Sequence, residues 1–328
     1  MRTKNQITEN IINEVNNKLM EIGKDINTAR LKDSYKYLIS NGGKRFRPLI
    51  TTLSCAMFTS DYLLAVNQGT AIELLHNFTL VHDDIMDKSP LRRGKETIYQ
   101  KFDDTTAILL GDLILGLSCK RLKIGLEPMQ GMKAMNIFNS GLVEVCDGQG
   151  YDLDFETRDD ITLEEYDMMI ERKTGSLIKV SFVIGGITGN ATDEELDKLS
   201  IVGYELGKAF QLQDDLLDIM GKQQEFGKKT GQDIIEGKKT YLIIKAKERA
   251  EKQEHLELLN KFFKNSGLDE KEVPKMKSLF EELGIIDDVR NLINEKFEFV
   301  FSMIREIRDN EYSEILIDLL NEYKTRAV

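Results

Sequence analysis

An all-α fold is predicted by three features of the sequence. Apolar residues recur at spacings of three and four through most of the 328 residues, which is the period of an amphipathic helix. Valine and threonine never gather into the short alternating runs that mark strands. The four prolines, Pro48, Pro90, Pro128 and Pro274, are widely scattered and no Pro/Gly/Ser-rich linker divides the chain, so a single domain over residues 1–328 is expected.

Composition narrows the function. A net charge of −11 argues against nucleic acid as the main partner, because phosphate-backbone binding needs a basic face. Three cysteines, Cys55, Cys119 and Cys146, lie within apolar helical patterns without the close pairing of zinc or redox motifs, which predicts buried free thiols in a reducing compartment. The N-terminus is too polar for a signal peptide. The longest apolar run, Leu177 to Ile187, is short and interrupted by Lys179, so no transmembrane segment and a cytoplasmic location are expected.

Taken in order, Ile7, Ile11, Val15, Leu19 and Ile22 predict an opening amphipathic helix, and a second covers Tyr35 to Ile39. Gly42-Gly43-Lys44-Arg45-Phe46-Arg47-Pro48 follows. Two glycines end one helix and Pro48 lies in the first turn of the next, leaving three cations on a loop with free backbone N–H groups, a setting suited to an anion such as diphosphate.

Tyr62 to Asp87 reads as one long helix, on which His76, Leu80, Asp83 and Asp87 fall at i, i+4, i+7 and i+11 with Thr79 beside them. Asp83 and Asp87 project from successive turns, so their oxygens can converge on hard divalent cations, with Asp84 between them. The spacing and central glycine of an EF-hand are missing, and three histidines in all supply imidazole-based metal chemistry poorly. Ser89-Pro90 then breaks the helix and delivers Arg92 and Arg93, adjacent guanidiniums without neighbouring acidic partners, suited to bidentate phosphate contacts.

Thr105 to Cys146 gives two further helical patterns, followed by Gly148-Gln149-Gly150-Tyr151-Asp152. After a helix from Thr162 to Arg172 comes Lys173-Thr174-Gly175, where the glycine allows a local opening of the helix. Asp193 to Met220 repeats the earlier stripe, with Gly207, Gln211, Asp214 and Asp218 at i, i+4, i+7 and i+11. Two aspartate triads, Asp83/Asp84/Asp87 and Asp214/Asp215/Asp218, suggest two walls of one metal site. Beyond the second lie Phe226 to Asp233 and Glu236-Gly237-Lys238, a Gly- and Lys-rich stretch suited to closing over an anion, with a new helix near Thr240. From Ile243 onward charged amphipathic helices, including one from about Asp287 to Asp309, predict packing.

Six motifs in this order, GGKRFRP, HDDIMD with RRG, KTG, FQLQDDLLD, GKKTGQD and EGK, jointly resemble the trans-isoprenyl diphosphate synthases, the short-chain polyprenyl synthetase family. The resemblance runs from Gly42 to Lys238. It implies an isoprenoid synthase helical bundle around a central cavity, commonly homodimeric, that joins isopentenyl diphosphate to an allylic diphosphate with the help of Mg2+, about three ions per active site by family analogy. Carried over by motif, Lys44, Arg47, His76 and Arg93 match the isopentenyl diphosphate pocket. Arg92, Lys173, Thr174, Gln211, Lys228 and Lys238 match contacts to the allylic diphosphate, with Lys229 an alternative to Lys228. Asp83, Asp87 and Asp214 match magnesium ligands, with Asp84 and Asp218 in support.

Phe78 and Thr79, five and four residues before Asp83, set the expected product length. An aromatic five before, a non-aromatic four before and no insertion within DDxxD resembles archaeal-type geranylgeranyl diphosphate synthases, so a mainly twenty-carbon product is expected, with farnesyl or longer polyprenyl diphosphate as the competitors. A class I terpene cyclase usually carries an Asn/Ser/Glu-type second motif in place of a second DDxxD. A non-catalytic regulatory subunit would be expected to have lost aspartates or loop cations, and both triads are complete here.

Overall fold

A computed structural model describes residues 3–220 and 230–325. In chain order its helices are α1 (Lys4–Ile22), α2 (Ala29–Ser40), α3 (Phe46–Thr59), α4 (Val66–Met86), α5 (Ile98–Lys101), α6 (Asp104–Leu122), α7 (Pro128–Glu156), α8 (Leu163–Ile170), α9 (Ser176–Thr188) and α10 (Asp193–Met220). The short α11 (Gln232–Ile235) and then α12 (Tyr241–Arg249), α13 (Gln253–Asn265), α14 (Val273–Glu282), α15 (Ile285–Ile307) and α16 (Glu311–Lys324) complete the chain. Among the described residues the only sheet is a hairpin of β1 (Leu91–Arg92) and β2 (Lys95–Glu96), so the fold is all-α as the sequence predicts. The chain forms two compact units. One comprises Met1–Ser140, Leu177–Ile201 and Ile304–Ile317, the other Gly141–Ser176, Val202–Met303 and Asp318–Val328.

In the first unit α1 buries Ile7, Ile11, Val15, Leu19 and Ile22, the stripe its spacing singles out, and Thr3 and Gln6 close its start with a reciprocal capping box. The central helix α4 packs against α1, α3 and α6. It begins at Val66, later than the apolar period implies, because Asp61 Oδ1 accepts the Leu63 N–H at 3.0 Å and holds a turn in competition with the helix. Gln68 on α4 donates from Nε2 to the carbonyls of Leu122 and Ile124 at 3.0 and 2.9 Å, satisfying orphan acceptors at the end of α6. Helix α9 is buried along its whole length, and Gly185 lets it lie against α3, since a Cβ there would meet the Thr51 carbonyl at 2.3 Å. No helix among the described residues is long and apolar enough to cross a membrane.

The second unit contains the later part of α7, which continues through Gly148 and Gly150 to Glu156, beyond the expected Cys146. Its core gathers Phe262, Met276, Phe280 and Phe297 from the last helices, which serve packing as predicted. Phe210 of α10 sits with its ring 5.9 Å from Phe297 and 5.8 Å from Tyr323, while Gln213 Nε2 donates to the carbonyls of Tyr323 and Lys324, both at 3.0 Å. The expectation of three buried thiols holds only for Cys55. Cys119 is half-buried, and Cys146 lies on an exposed side of α7 with Asp147.

Candidate active site

In the first unit, the end of α4 is built by helix termination. Lys88 adopts φ 49 and the Ser89 N–H returns to the Asp84 carbonyl at 3.0 Å, a left-handed stop that closes the helix just after Asp83, Asp84 and Asp87. Asp87 is exposed, Asp83 half-buried and Asp84 buried. The chain then enters the hairpin, where Leu91 pairs with Glu96 and Arg92 with Lys95. Arg93 and Gly94 form its two-residue turn at φ 54 and 73, the handedness that matches the twist of paired strands.

The hairpin sends the two adjacent arginines to different partners. Arg92 Nε donates to Asp84 Oδ1 at 2.6 Å, and Arg93 Nη1 donates to the Gly42 carbonyl at 2.7 Å. The expectation that this pair lacks an acidic neighbour is therefore corrected: Asp84, eight residues upstream and one helix stop away, is the partner. A recess here is lined by Asn77, Asp84, Arg92 and Arg93 among others. Lys44 is exposed and Arg47 half-buried.

His76, two turns before Asp83, has an Nδ1 without a hydrogen-bond partner among the described residues. Desolvation first, and then the cations Arg47, Arg93, Arg92 and Arg45, hold its pKa well below the ordinary histidine value, so the ring is neutral at pH 7. Phe78 is half-buried, its ring edge-on to His82 at 4.7 Å, and His82 in turn lies against Gly111, where a Cβ would clash at 2.1 Å. Thr79 is buried and donates its hydroxyl to the His76 carbonyl at 2.9 Å.

In the second unit a capping box at Thr162 and Glu165 starts α8, and the helix then widens into a π turn over Glu171–Gly175 before α9. Three glycines let backbones approach around this turn. A Cβ on Gly148 of α7 would lie 2.3 Å from the Lys173 nitrogen, and one on Gly207 of α10 would lie 2.3 Å from the Gly175 Cα. The local opening expected at Gly175 is thus a π turn pressed between two helices, and it carries Lys173 and Thr174.

A hydrogen-bond chain fixes the side chains next to it. Thr174 Oγ1 donates to Gln211 Oε1 at 2.9 Å, Gln211 Nε2 donates to Asp215 Oδ1 at 3.0 Å, and Tyr166 Oη donates to Asp215 Oδ2 at 2.6 Å. Lys173 Nζ is 2.5 Å from Asp152 Oδ2. Asp152, Tyr166, Lys173, Gln211 and Asp215 line a recess together with Asp233 and Lys238, and Lys238 Nζ lies 3.5 Å from Asp233 and 3.4 Å from Glu236.

The second triad divides its labour. Asp214 is exposed, Asp215 buried, and Asp218 accepts the N–H groups of Gln232 and Asp233, both at 3.1 Å, which caps the start of α11. Burial, with Asp233 nearby, pushes the Asp215 carboxyl up to about 7 and the Asp218 carboxyl up to about 6. Lys228 and its alternative Lys229 lie outside the described residues.

Tyr166 and Asp233 are site residues that sequence reasoning missed. Tyr166 was findable, because the Thr162/Glu165 capping box fixes the phase of α8 and places Tyr166 seven residues, two turns, before Lys173. Asp233 closes the GKKTGQD motif, which marked the stretch without giving that carboxylate a role. Gln149 is buried with both amide atoms unpartnered among the described residues.

The donors suit magnesium. They are carboxylates only, and Mg2+ takes one or two carboxylates together with phosphate oxygens and waters in place of an all-protein cage. Consistent with that, the only trio of ligand-type atoms within 4.8 Å of one another among the described residues is the unrelated Glu254, His255 and Glu282.

A family model described as polyprenyl synthetase matches residues 28–283. Geranylgeranyl diphosphate synthase of Methanosarcina mazei is 33% identical over 94% of this chain and 96% of its own. Its counterpart in Saccharolobus solfataricus is 40% identical over 74% of each chain. A crystal structure of a geranylgeranyl pyrophosphate synthase matches with a TM-score of 0.89 at 34% identity, covering 100% of both chains.

Proposed function

The chain belongs to the polyprenyl synthetase family, and from that premise we propose that it is a prenyltransferase that condenses isopentenyl diphosphate with allylic diphosphates to give geranylgeranyl diphosphate. The observation that carries this reading is the pairing of cations with carboxylates, Arg92 with Asp84 at the end of α4, and Lys173 with Asp152 in the recess that Gln211 and Asp215 of α10 line. Both kinds of group are thereby held ready for a ligand that needs both, a diphosphate accompanied by divalent cations.

In this reading Asp83, Asp87 and Asp214 hold Mg2+, three ions in all by analogy with the family, while Asp84 and Asp218 support them through Arg92 and α11. When bound, the ions neutralise the diphosphate and favour ionisation of the allylic C–O bond. Arg92, Lys173, Lys238 and Lys228 share the leaving-group charge. Lys44, Arg47, Arg93 and the neutral His76 bind isopentenyl diphosphate.

Its double bond attacks the allylic cation, a new C–C bond forms, and a proton lost to the departing diphosphate completes the five-carbon addition. Thr174 and Gln211, locked to Asp215, turn their dipoles toward the cation without offering a nucleophile. The whole chain acts as a single domain, in a cytoplasmic homodimer. The test is an incubation with Mg2+, isopentenyl diphosphate and dimethylallyl, geranyl or farnesyl diphosphate. A twenty-carbon product is expected, and a fifteen-carbon majority would overturn the product assignment.

A further inference from the structure

Of the three cations between Gly43 and Pro48, the middle one faces inward. Arg45 is 4% exposed, whereas Lys44 is exposed and Arg47 half-buried. Its Nη1 bonds Glu73 Oε1 of α4 at 2.8 Å, in a pair whose side chains are 4% and 6% exposed, and its Nε donates to Asn16 Oδ1 of α1 at 2.9 Å. Arg45 also takes a left-handed backbone, φ 51 and ψ 36, at the start of α3. A non-glycine residue keeps that conformation where its surroundings over-determine it.

The same guanidinium reaches further. Arg45 Nη1 donates to the Gly42 carbonyl at 3.3 Å, the oxygen that Arg93 Nη1 binds at 2.7 Å. Gly43, at φ 149, is flanked by both arginines: a Cβ there would lie 2.9 Å from Arg93 Nη1 and 3.0 Å from Arg45 Nη1. Two like charges thus meet around two glycines, and Glu73 is the carboxylate whose charge acts on Arg93 while it binds Arg45. A buried ion pair is a poor device for stability alone, since well-packed apolar residues do as well; its distinctive contribution is to fix orientation.

We propose that Arg45 and Glu73 are positioning residues for isopentenyl diphosphate: their ion pair locks the Gly42–Arg47 loop and, through the Gly42 carbonyl, sets Arg93 relative to Lys44 and Arg47. This rests on the assignment of Lys44, Arg47 and Arg93 to that substrate. Arg45 itself does not touch the ligand.

The test is steady-state kinetics of the full-length protein with each substrate varied in turn, for the parent, for Glu73→Gln, and for Arg45→Met combined with Glu73→Leu, which leaves no buried charge behind. Thermal unfolding is followed in parallel. Loss of orientation raises the KM for isopentenyl diphosphate about tenfold, with the KM for the allylic diphosphate changed less than about twofold, in both variants. A merely structural role would lower the active fraction, reducing kcat with both KM values unchanged, and that result would overturn the inference, as would equal rises in both KM values. A parent protein that fails to elongate any allylic diphosphate would overturn the functional assignment, and this inference with it.

Discussion

Tyr166 Oη donates to Asp215 Oδ2 at 2.6 Å, joining a buried phenol on α8 to a buried carboxylate on α10. The other oxygen of Asp215 takes Gln211, whose carbonyl takes Thr174, so the tyrosine anchors a chain of which Tyr166, Asp215 and Gln211 line the recess. Tyr166→Phe removes one of the two side-chain donors to Asp215 and leaves the packing volume almost unchanged. Stability is expected to fall by about 1–2 kcal/mol in urea unfolding. Because Asp215, the partner of Gln211, is then held by one donor fewer, kcat should drop by about tenfold while the KM for isopentenyl diphosphate stays the same.

The raised carboxyls at Asp215 and Asp218 give a pH dependence whose sign is fixed. A carboxyl near 7 or near 6 in the fold, against about 4 in the unfolded chain, means that the cation-free fold binds more protons than the unfolded state. The stability these groups contribute is complete below about pH 4 and is lost as pH rises through 6 and 7. His76 acts the other way, its contribution being present above about pH 6.5 and lost on acidification. Magnesium favours the ionised carboxylates, so the stabilisation it provides should grow between about pH 5.5 and 7.5. Thermal unfolding across that range, in Mg2+ and in EDTA, measures the difference, and a pH-independent gap would contradict it.

Gly207→Ala tests the close approach that shapes the π turn. The new methyl would meet the Gly175 Cα at 2.3 Å, a backbone atom that has no rotamer to give way. We expect a loss of about 2–3 kcal/mol, typical of overpacking at a rigid contact. Activity should fall further than folding, because Lys173 and Thr174 are displaced. Calorimetry and turnover on the same preparation separate the two effects.

Product length should respond to Phe78. Its ring is half-buried on α4 beside His82, and Phe78→Ala removes that bulk while leaving Thr79 and Asp83 in place. Chromatography of the extracted products is expected to show chains longer than those of the parent. An unchanged distribution would remove Phe78 from chain-length control.

What could be read from the sequence was set by periodicity. The stripe Ile7, Ile11, Val15, Leu19 and Ile22 is the buried face of α1, and α10 starts at Asp193 as its pattern implies, because apolar spacing encodes what a helix buries. The aspartate triads were equally plain, being local in sequence. What stayed hidden was non-local. Nothing in the spacing shows that Arg92 bends back to Asp84, since that contact depends on a left-handed stop at Lys88 and a two-residue turn at Arg93-Gly94. Arg45 looked like its neighbours Lys44 and Arg47, and only packing reveals that it faces Glu73. Asp233 was in view as the end of the GKKTGQD motif, but its place in the second recess depends on α11, a four-residue helix too short to announce itself by period.

Magnesium-dependent prenyl transfer through the aspartates is tested most directly by the turnover of Asp83→Ala across a magnesium titration, with the parent protein alongside. The predicted result is a loss of about a hundredfold or more in kcat that added magnesium does not restore, since one of the carboxylates proposed to hold the ion would be gone. Turnover equal to the parent's at every magnesium concentration would contradict it.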